Sequence, residues 1–157
     1  MAMHPYHAIF DELLTSTYRS VLKVEAQMLR SLSGSDLSIS EMHMLESIAK
    51  DAAGATITDI AQDQNITLPT VTTAIQKLER KGYVTKEKSA TDARCVKVVL
   101  TQSGRRAEIA HRYFHRQMVK ALMADMSDAE KELLLSGLRK LDGFLRQRAD
   151  SNEGGDA

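Results

Sequence analysis

The chain has 157 residues, with 21 basic and 21 acidic side chains and five histidines. This length suits one domain, or one small domain with extra helices that need a partner. Aromatic residues make up 4% of the chain and tryptophan is absent, so we expect an aliphatic, methionine-rich core. The sequence has no long apolar run, no N-terminal targeting pattern and a single cysteine, Cys95, which excludes an intramolecular disulfide. We therefore expect a cytoplasmic protein that does not engage a membrane.

The N-terminal part predicts two helices. Apolar side chains recur at helical spacing over residues 8–31, which predicts one long amphipathic helix. After a short Ser/Gly loop, Ser38 and Glu41 have the spacing of a capping box. This pair predicts a second helix that runs to about Lys50.

Residues 58–82 have the pattern of a helix, a turn and a second helix. Thr58 is a candidate N-cap for the first helix, and a short strand is expected just before it, around Ile57. Asn65 tolerates the left-handed backbone conformation of a tight turn. The segment therefore predicts a helix-turn-helix, although an ordinary helical hairpin is the alternative for this motif alone.

The second helix of this motif has marked ends and two distinct faces. Thr67 is its predicted N-cap, Pro69 lies in its first turn, and Gly82 is its predicted C-cap. The apolar residues at helical spacing, which we expect to be buried, are Val71, Ala74, Ile75 and Leu78. The opposite face carries Thr70, Thr72, Thr73, Gln76, Lys77 and Arg80. Small hydroxyls allow close approach to phosphates, Gln reads adenine edges, and Lys and Arg reach phosphates or guanine, so this face suits a recognition helix.

A predicted β-hairpin follows the recognition helix directly. Two strand-like runs, 83–88 and 95–100, flank a polar turn. Residues 67–106 contain nine basic and three acidic side chains, a net charge of about +6, whereas the whole chain is neutral. Such an asymmetry places an anion-binding surface on one part of the molecule.

The C-terminal part predicts two further helices. A long helix is expected from Thr101 to about Ala124, and a second capping box at Ser127 and Glu130 opens the last helix. That last helix carries an apolar face formed by Leu133, Leu134, Gly137, Leu138, Leu141, Phe144 and Leu145. Because such a face is too apolar for water, we expect it to pair with the first helix of a second subunit in a homodimer. The alternative is a monomer that packs its own terminal helices together.

Three segments, 78–84, 92–94 and 100–104, resemble the core signature of the MarR family of winged helix-turn-helix regulators. The resemblance implies a mainly α fold with a small β-wing, and a homodimer that binds a pseudo-palindromic operator in double-stranded DNA. It also implies that the recognition helix enters the major groove. The wing-tip residue Arg94, oriented by Asp92, would enter the minor groove or clamp its phosphates, which suits the planar guanidinium. The predicted DNA-binding set is completed by Lys88, at the end of the first wing strand, and by Thr67 and Pro69, at the start of the recognition helix.

This organisation divides the chain into four parts. Residues 1–34 are the predicted N-terminal dimerisation helix, and 38–101 the winged helix-turn-helix domain. Residues 102–148 are the predicted C-terminal dimerisation helices, and 149–157 a disordered tail.

Four polar residues on the predicted helices form a candidate metal site. His111 and His115 are four residues apart, the spacing at which two imidazoles share one metal. Glu25 lies in register with the apolar stripe of the first helix, and His43 lies on the second. One metalloregulator branch of the MarR family places a Glu and three His on these helices, so zinc is a candidate. A polar His–Glu cluster without metal is the alternative.

The segments 37–43 and 111–119 instead resemble the branch of MarR repressors that controls fatty-acid synthesis genes and uses long-chain acyl-acyl-carrier-protein as corepressor. No cofactor is required in that interpretation. Flexible Met and Leu side chains suit an acyl chain. The predicted effector pocket is formed by Val21, Leu22, Met28, Leu29, Met42, Leu45, Phe114 and Met118.

Other functions find less support in the sequence. We find no glycine-rich phosphate loop, no nucleophile elbow and no open metal site with a base, so an enzyme is not expected. Redox sensing through Cys95 is a further alternative, because the adjacent Arg94 would lower the pKa of its thiol. Family members that sense peroxide carry the reactive cysteine on the first helix, whereas Cys95 lies at the base of the predicted wing. A winged domain that binds protein rather than DNA is the remaining alternative.

Overall fold

The computed structural model describes residues 6–32, 35–88 and 94–153, with side chains described up to Arg148. Its elements in chain order are α1 (Tyr6–Ser31), α2 (Ile39–Ala49), α3 (Ile57–Gln64), α4 (Leu68–Arg80), β1 (Val84–Lys88), β2 (Val96–Leu100), α5 (Gln102–Met123) and α6 (Asp128–Glu153). The predicted fold class, mainly α with a β-wing, is confirmed.

The two strands form an antiparallel hairpin in which Val84 pairs with Leu100 and Lys88 with Val96. The chain divides into two compact units, Met1–Phe114 and His115–Ala157, and the boundary falls within α5. None of the described helices is long and apolar enough to cross a membrane.

Helix α2 begins at the predicted capping box. The Ser38 hydroxyl accepts a hydrogen bond from the Glu41 backbone N–H at 3.2 Å, and the Glu41 carboxylate accepts one from the Ser38 N–H at 2.8 Å. These bonds satisfy two of the N–H groups that a helix start leaves without partners. The buried side chains of α2 include Met42, Leu45 and Ile48, as its spacing predicts.

The start of α3 differs from the prediction. Its N-cap is Thr56 rather than Thr58, because Thr56 and Asp59 form a reciprocal capping box. The Thr56 hydroxyl accepts from the Asp59 N–H at 3.1 Å, and the Asp59 carboxylate accepts from the Thr56 N–H at 2.8 Å. Three residues after Thr58 stands Ala61, whose methyl side chain cannot accept a hydrogen bond from the Thr58 backbone N–H.

The short strand predicted around Ile57 is also misplaced. Ala55 forms an isolated antiparallel bridge with Val98, and Ile57 already lies in α3. Gly54, with a φ of +80°, turns the chain into this bridge. A Cβ at Gly54 would lie 2.4 Å from the Val98 carbonyl oxygen, so both the backbone conformation and the close approach require glycine.

Helix α4 begins at the predicted N-cap, and its C-cap is Lys81, one residue before the predicted Gly82. Asn65 adopts the left-handed conformation at the turn, Thr67 caps the helix, and Gly82 follows its end with a φ of +77°. The fully buried side chains of α4 are Val71, Ile75 and Leu78, and Ala74 is partly buried. The predicted buried stripe is therefore confirmed.

An ion pair ties the C-terminal end of α4 to the start of α2. The Lys81 Nζ lies 2.9 Å from the Glu41 carboxylate and donates to the Asp36 carbonyl at 2.7 Å. Burial opposes ionisation of Glu41, but hydrogen bonds from Ser38 and Lys81 outweigh it and lower the pKa of that carboxyl. Glu41 therefore caps one helix and anchors another.

The start of α5 packs closely against the beginning of the wing. The Thr101 N–H donates to the Tyr83 carbonyl at 3.0 Å, and the Thr101 hydroxyl donates to the Gly82 carbonyl at 2.7 Å. A Cβ at Gly104 would lie 2.1 Å from the Tyr83 carbonyl oxygen. This contact explains why a glycine stands three residues after Thr101.

In the second unit, α6 begins at the predicted capping box of Ser127 and Glu130. The helix extends to Glu153, so residues 149–153, which were predicted to belong to a disordered tail, are helical. Adding a residue to a formed helix gains one hydrogen bond, so polar composition alone does not stop it. Residues 154–157 lie outside the described part of the chain.

Each unit of the single chain exposes large apolar side chains. On α1 these are Tyr6, Ile9, Phe10, Leu13, Leu14 and Tyr18. On α6 they are Leu133, Leu138, Phe144 and Leu145. Exposed apolar surface on this scale is typical of a protein that associates.

We expect Gly104→Ala to lower the free energy of unfolding by roughly 1–3 kcal/mol, because the added methyl must displace the Tyr83 backbone. Gly143→Ala is the matched control, since a Cβ at Gly143 meets nothing within 4 Å and Gly143 lies away from the apolar face of α6. In a helix interior that change is expected to stabilise by up to about 1 kcal/mol. Urea denaturation followed by circular dichroism measures both effects, and equal effects in the two variants would contradict the close contact at Gly104.

Candidate nucleic-acid interface

The outward face of α4 is set by its buried stripe. A helix has about 3.6 residues per turn, so Pro69, Thr73, Gln76 and Arg80 line up along the side opposite Val71, Ile75 and Leu78. All four are exposed, as are the flanking Thr70, Thr72 and Lys77. The structure thus brings the predicted recognition residues of α4 onto one solvent-facing surface.

The threonine hydroxyls on α4 have partners within their own helix. Thr67 caps the helix and its hydroxyl lies 2.8 Å from that of Thr70. The Thr72 hydroxyl donates to the Leu68 carbonyl at 2.9 Å. The Thr73 hydroxyl donates to the Pro69 carbonyl at 3.0 Å. The side chains at the start of α4 are therefore held in defined orientations.

The wing places two further predicted DNA-binding residues at the surface. Lys88 ends β1 and is exposed, and Arg94 is exposed just before β2. Asp92, which the family resemblance pairs with Arg94, lies outside the described residues. Cys95, between Arg94 and β2, is partly buried.

Some basic residues of this region serve the fold rather than the open surface. Lys86 pairs with Glu79 at 2.9 Å, and Lys97 pairs with Asp51 at 3.3 Å. The Ala53 N–H and Lys97 together lower the pKa of Asp51. Lys81 and Lys97 are paired with Glu41 and Asp51, two acids that lie outside residues 67–106. The net charge of about +6 counted for that segment omits these two acids, so it overstates the positive charge available to DNA. Lys77, Arg80, Lys88 and Arg94 form the exposed basic set of the predicted interface.

A polar contact between α2 and α3, which sequence reasoning missed, positions the helix-turn-helix. The buried Ser47 hydroxyl contacts the Asp63 carboxylate at 2.5 Å, and Lys50 pairs with the same carboxylate. Hydrogen bonds from Lys50 and Ser47 lower the pKa of Asp63. The Gln64 side-chain amide also donates to the Ser47 hydroxyl. Ser47 lies three residues after the buried Met44, which places it on the buried face of α2. That position was the only sequence signal for its contact with Asp63.

The predicted metal residues of the first unit gather around one imidazole. His111 is 0% exposed, with Nδ1 2.7 Å from Glu46 Oε1 and Nε2 3.6 Å from Glu25 Oε1. The ring of His43 lies edge-on to it, with ring centroids 5.7 Å apart. His115 follows one helical turn later on α5, as the first residue of the second unit.

Glu46 is the member of this cluster that the sequence analysis did not identify. Its carboxylate contacts His111 more closely than that of Glu25 does. The only sequence signal was its position three residues after His43 on α2. A carboxylate on Nδ1 fixes the orientation of the ring, as it does both in structural His–Glu clusters and behind metal-bound histidines.

The predicted effector residues occupy different environments. Leu29, Met42 and Leu45 are buried in the hydrophobic core of the first unit, so a ligand among them would have to open that core. Val21, Leu22, Met28 and Phe114 are partly buried, and Met118, in the second unit, is exposed. A cavity of about 390 Å³ in the first unit is lined instead by Leu32, Ser35, Lys81, Tyr83, Ser103, Arg106 and Ala107. None of the eight predicted residues lines that cavity.

Comparisons with known proteins agree with this geometry. The MarR family profile matches residues 37–96. The structure of FabT from Streptococcus pneumoniae in complex with DNA is 36% identical, covers 90% of this chain and 98% of its own, and superposes with a TM-score of 0.81. The S. aureus MepR–DNA complex is 24% identical, with coverage of 87% and 96% and a TM-score of 0.69, which supports the fold alone.

One curated relative is an uncharacterised HTH-type transcriptional regulator, YwhA, of Bacillus subtilis, which is 28% identical over 86 residues. The match spans 55% of this chain and 62% of that protein's length. The identity with FabT extends over nearly the whole of both chains. The chain therefore belongs to the MarR family, whose members are DNA-binding transcription regulators and not enzymes.

Proposed function

We propose that the protein is a homodimeric repressor that binds a pseudo-palindromic operator in double-stranded DNA. The observation that carries the proposal is the exposed line of Pro69, Thr73, Gln76 and Arg80 along α4, followed by a wing with exposed Arg94. A helix of this kind fits the major groove, where side-chain amides and guanidinium groups read base edges. The similarity to FabT in complex with DNA supports the same use of the fold.

The dimer is proposed from the exposed apolar faces of α1 and α6. In the single chain, at least half of the residue surface is exposed at Leu13, Leu14, Leu138 and Leu145. A second copy offers matching apolar faces, and a two-fold axis makes the contact self-complementary. Two recognition helices related by that axis would face half-sites about one helical turn of DNA apart.

We expect Arg94→Ala to weaken operator binding severely and on all sequences, because it removes a charge that contacts the minor groove or its phosphates. Gln76→Ala is expected to lose discrimination between operator and mismatched duplexes, by roughly 1–3 kcal/mol at the base pair it reads. Fluorescence anisotropy with the operator, single-mismatch duplexes and random duplex measures both effects.

Arg139→Ala is the matched control, because it removes the same charge from an exposed position on α6 away from its apolar face. Its operator affinity is expected to equal that of wild type. If Arg94→Ala and Gln76→Ala also bound all duplexes as wild type does, the assignment of α4 and the wing to DNA would be wrong.

For the effector, we propose a long-chain acyl group carried by acyl-carrier-protein. The support is the resemblance of segments 37–43 and 111–119 to the fatty-acid branch of the family, together with the partly buried Val21, Leu22 and Met28 on α1. A ligand acts on DNA binding only through different affinities for two conformations of the protein. An acyl chain that inserts beside α1 would alter the packing of a helix that contacts α2.

Zinc is the second candidate effector, and the His111 geometry favours it. Glu25 Oε1 and His111 Nε2 are 3.6 Å apart. This separation is close to that of two ligand atoms bound to one tetrahedral zinc ion, each at about 2.0–2.2 Å from the metal. Glu46 on Nδ1 would orient the imidazole and leave Nε2 for the ion. His43, whose ring lies edge-on to that of His111, is a further proposed ligand in the first unit. Zinc would supply a positive charge beside the buried Glu25 carboxylate.

Operator affinity measured with a long-chain acyl-acyl-carrier-protein, with zinc, and after chelation separates the two effectors. We expect the acyl ligand to tighten binding at least severalfold and chelation to leave the affinity unchanged. The unacylated carrier protein is the control for non-specific contact. Glu25→Gln, which keeps the shape of the side chain and removes its charge, tests the zinc site.

If zinc tightened operator binding, Glu25→Gln abolished that response, and the acyl ligand had no effect, zinc would replace the acyl group as the effector. Loss of the acyl response by Met28→Glu, with basal DNA binding still measurable, would support the acyl assignment. Neither ligand changing the affinity would remove both proposals and leave the DNA-binding proposal intact.

A further inference from the structure

The hydroxyl of Thr73 is already committed inside α4. Its single proton is donated to the Pro69 carbonyl at 3.0 Å. A threonine side chain has few rotamers in a helix. The hydrogen bond to the carbonyl of the preceding turn selects one of these rotamers for Thr73. The γ-methyl of Thr73 is therefore held in one direction on an exposed side chain.

The position of Thr73 on the helix makes this orientation matter. Thr73 lies on the line of Pro69, Gln76 and Arg80, opposite the buried stripe of α4. Thr72 makes the equivalent bond, to the Leu68 carbonyl at 2.9 Å, but stands on the flank of this line. Of the two, Thr73 is the one that lies on the central line of the proposed DNA-binding face.

The groups that complement such a side chain in the major groove are few. Guanine N7 and O6 and phosphate oxygens are acceptors and require a donor, which Thr73 no longer offers. Thymine presents a C5-methyl group, and apolar contact between that methyl and a threonine methyl is one of the recurrent modes of base recognition. The Thr73 hydroxyl oxygen can still accept a hydrogen bond from the amino group of adenine or cytosine. Its donated proton disfavours guanine, and its γ-methyl group has one apolar counterpart in the groove, the thymine methyl.

We infer that Thr73 reads a thymine C5-methyl group in each operator half-site, through its γ-methyl rather than its hydroxyl. The inference depends on the proposed function, because it places α4 in the major groove. Gln76, one turn further along the same line, is placed to read a neighbouring adenine, since its amide matches the adenine edge. The half-site would then contain a thymine whose methyl group, and not its hydrogen-bonding groups, is recognised.

Uracil tests this directly, because it is thymine without the C5-methyl group. The operator is first selected from random duplexes by the wild-type protein, and each thymine is then replaced singly by uracil. Wild type is expected to lose roughly fourfold in affinity at one position of each half-site, the value of burying one methyl group. Thr73→Ser, which lacks the γ-methyl, is expected to bind the thymine and uracil duplexes equally.

Two further variants keep the outcome interpretable. Thr73→Val retains the methyl and loses the hydroxyl, and is expected to keep the thymine-to-uracil ratio whatever its absolute affinity. Thr72→Ser, on the flank of α4, is expected to keep the wild-type ratio at the position assigned to Thr73. Loss of the ratio in Thr73→Val but not in Thr73→Ser would overturn the inference, because the hydroxyl would then be the reading group.

Arg94→Ala separates failure of this inference from failure of the proposed function. It is expected to weaken binding to thymine and uracil duplexes equally. If no uracil substitution affected wild type while Arg94→Ala still bound weakly, the thymine assignment alone would fall. If neither change affected binding, the placement of α4 in the major groove would fall as well.

Discussion

The rotation of α4 about its own axis decides which of its side chains form the proposed DNA-binding surface. That rotation is fixed by burial, because Val71, Ile75 and Leu78 are fully enclosed in the core of the first unit. Burying such side chains is worth roughly 1.5–3 kcal/mol each, far more than any one polar contact on the opposite face. The exposed line from Pro69 to Arg80 is a consequence of that packing.

The rest of the first unit holds α4 in place at both ends. Thr67 caps its start, and Lys81 ties its end to Glu41 and thus to the start of α2. The α2–α3 contact through Ser47 and Asp63 fixes the preceding helix of the motif. Lysines that a charge count assigns to DNA, Lys81 above all, therefore carry structural roles. The net charge of residues 67–106 is a property of their composition. The ion pairs determine how many of their basic side chains stay unneutralised at the surface.

The helices, the turn at Asn65 and the wing could be predicted because each is encoded locally. Apolar residues recur with the helical period, caps lie at fixed spacings, and glycines mark sharp turns. The start of α3 was wrong by two residues, because two threonines competed for the cap and only Thr56 has an acidic partner three residues later. The helical conformation of residues 149–153 in α6 escaped prediction because their polar composition is typical of a disordered tail.

The interactions that could not be predicted join residues far apart in the chain. Glu46 and His111 are 65 positions apart, and Lys81 and Glu41 are 40 apart, so no local pattern links them. The proposed DNA-binding residues could be named from the sequence because one helix and one predicted hairpin carry all of them. The candidate effector residues lie on α1, α2 and α5, and their packing depends on tertiary structure. Sequence could name them, but it could not show that Met42 and Leu45 fill the core.

The central claim is that two copies of the chain bind one duplex through α4 and the wing. Sedimentation velocity of a labelled operator duplex with the full chain, repeated from low to high salt, tests it most directly. The account predicts a complex with two chains per operator. The logarithm of its association constant should fall linearly with the logarithm of the salt concentration, with a slope of about −0.9 per phosphate contact. No complex at low salt, or a single chain bound with full affinity, would contradict it.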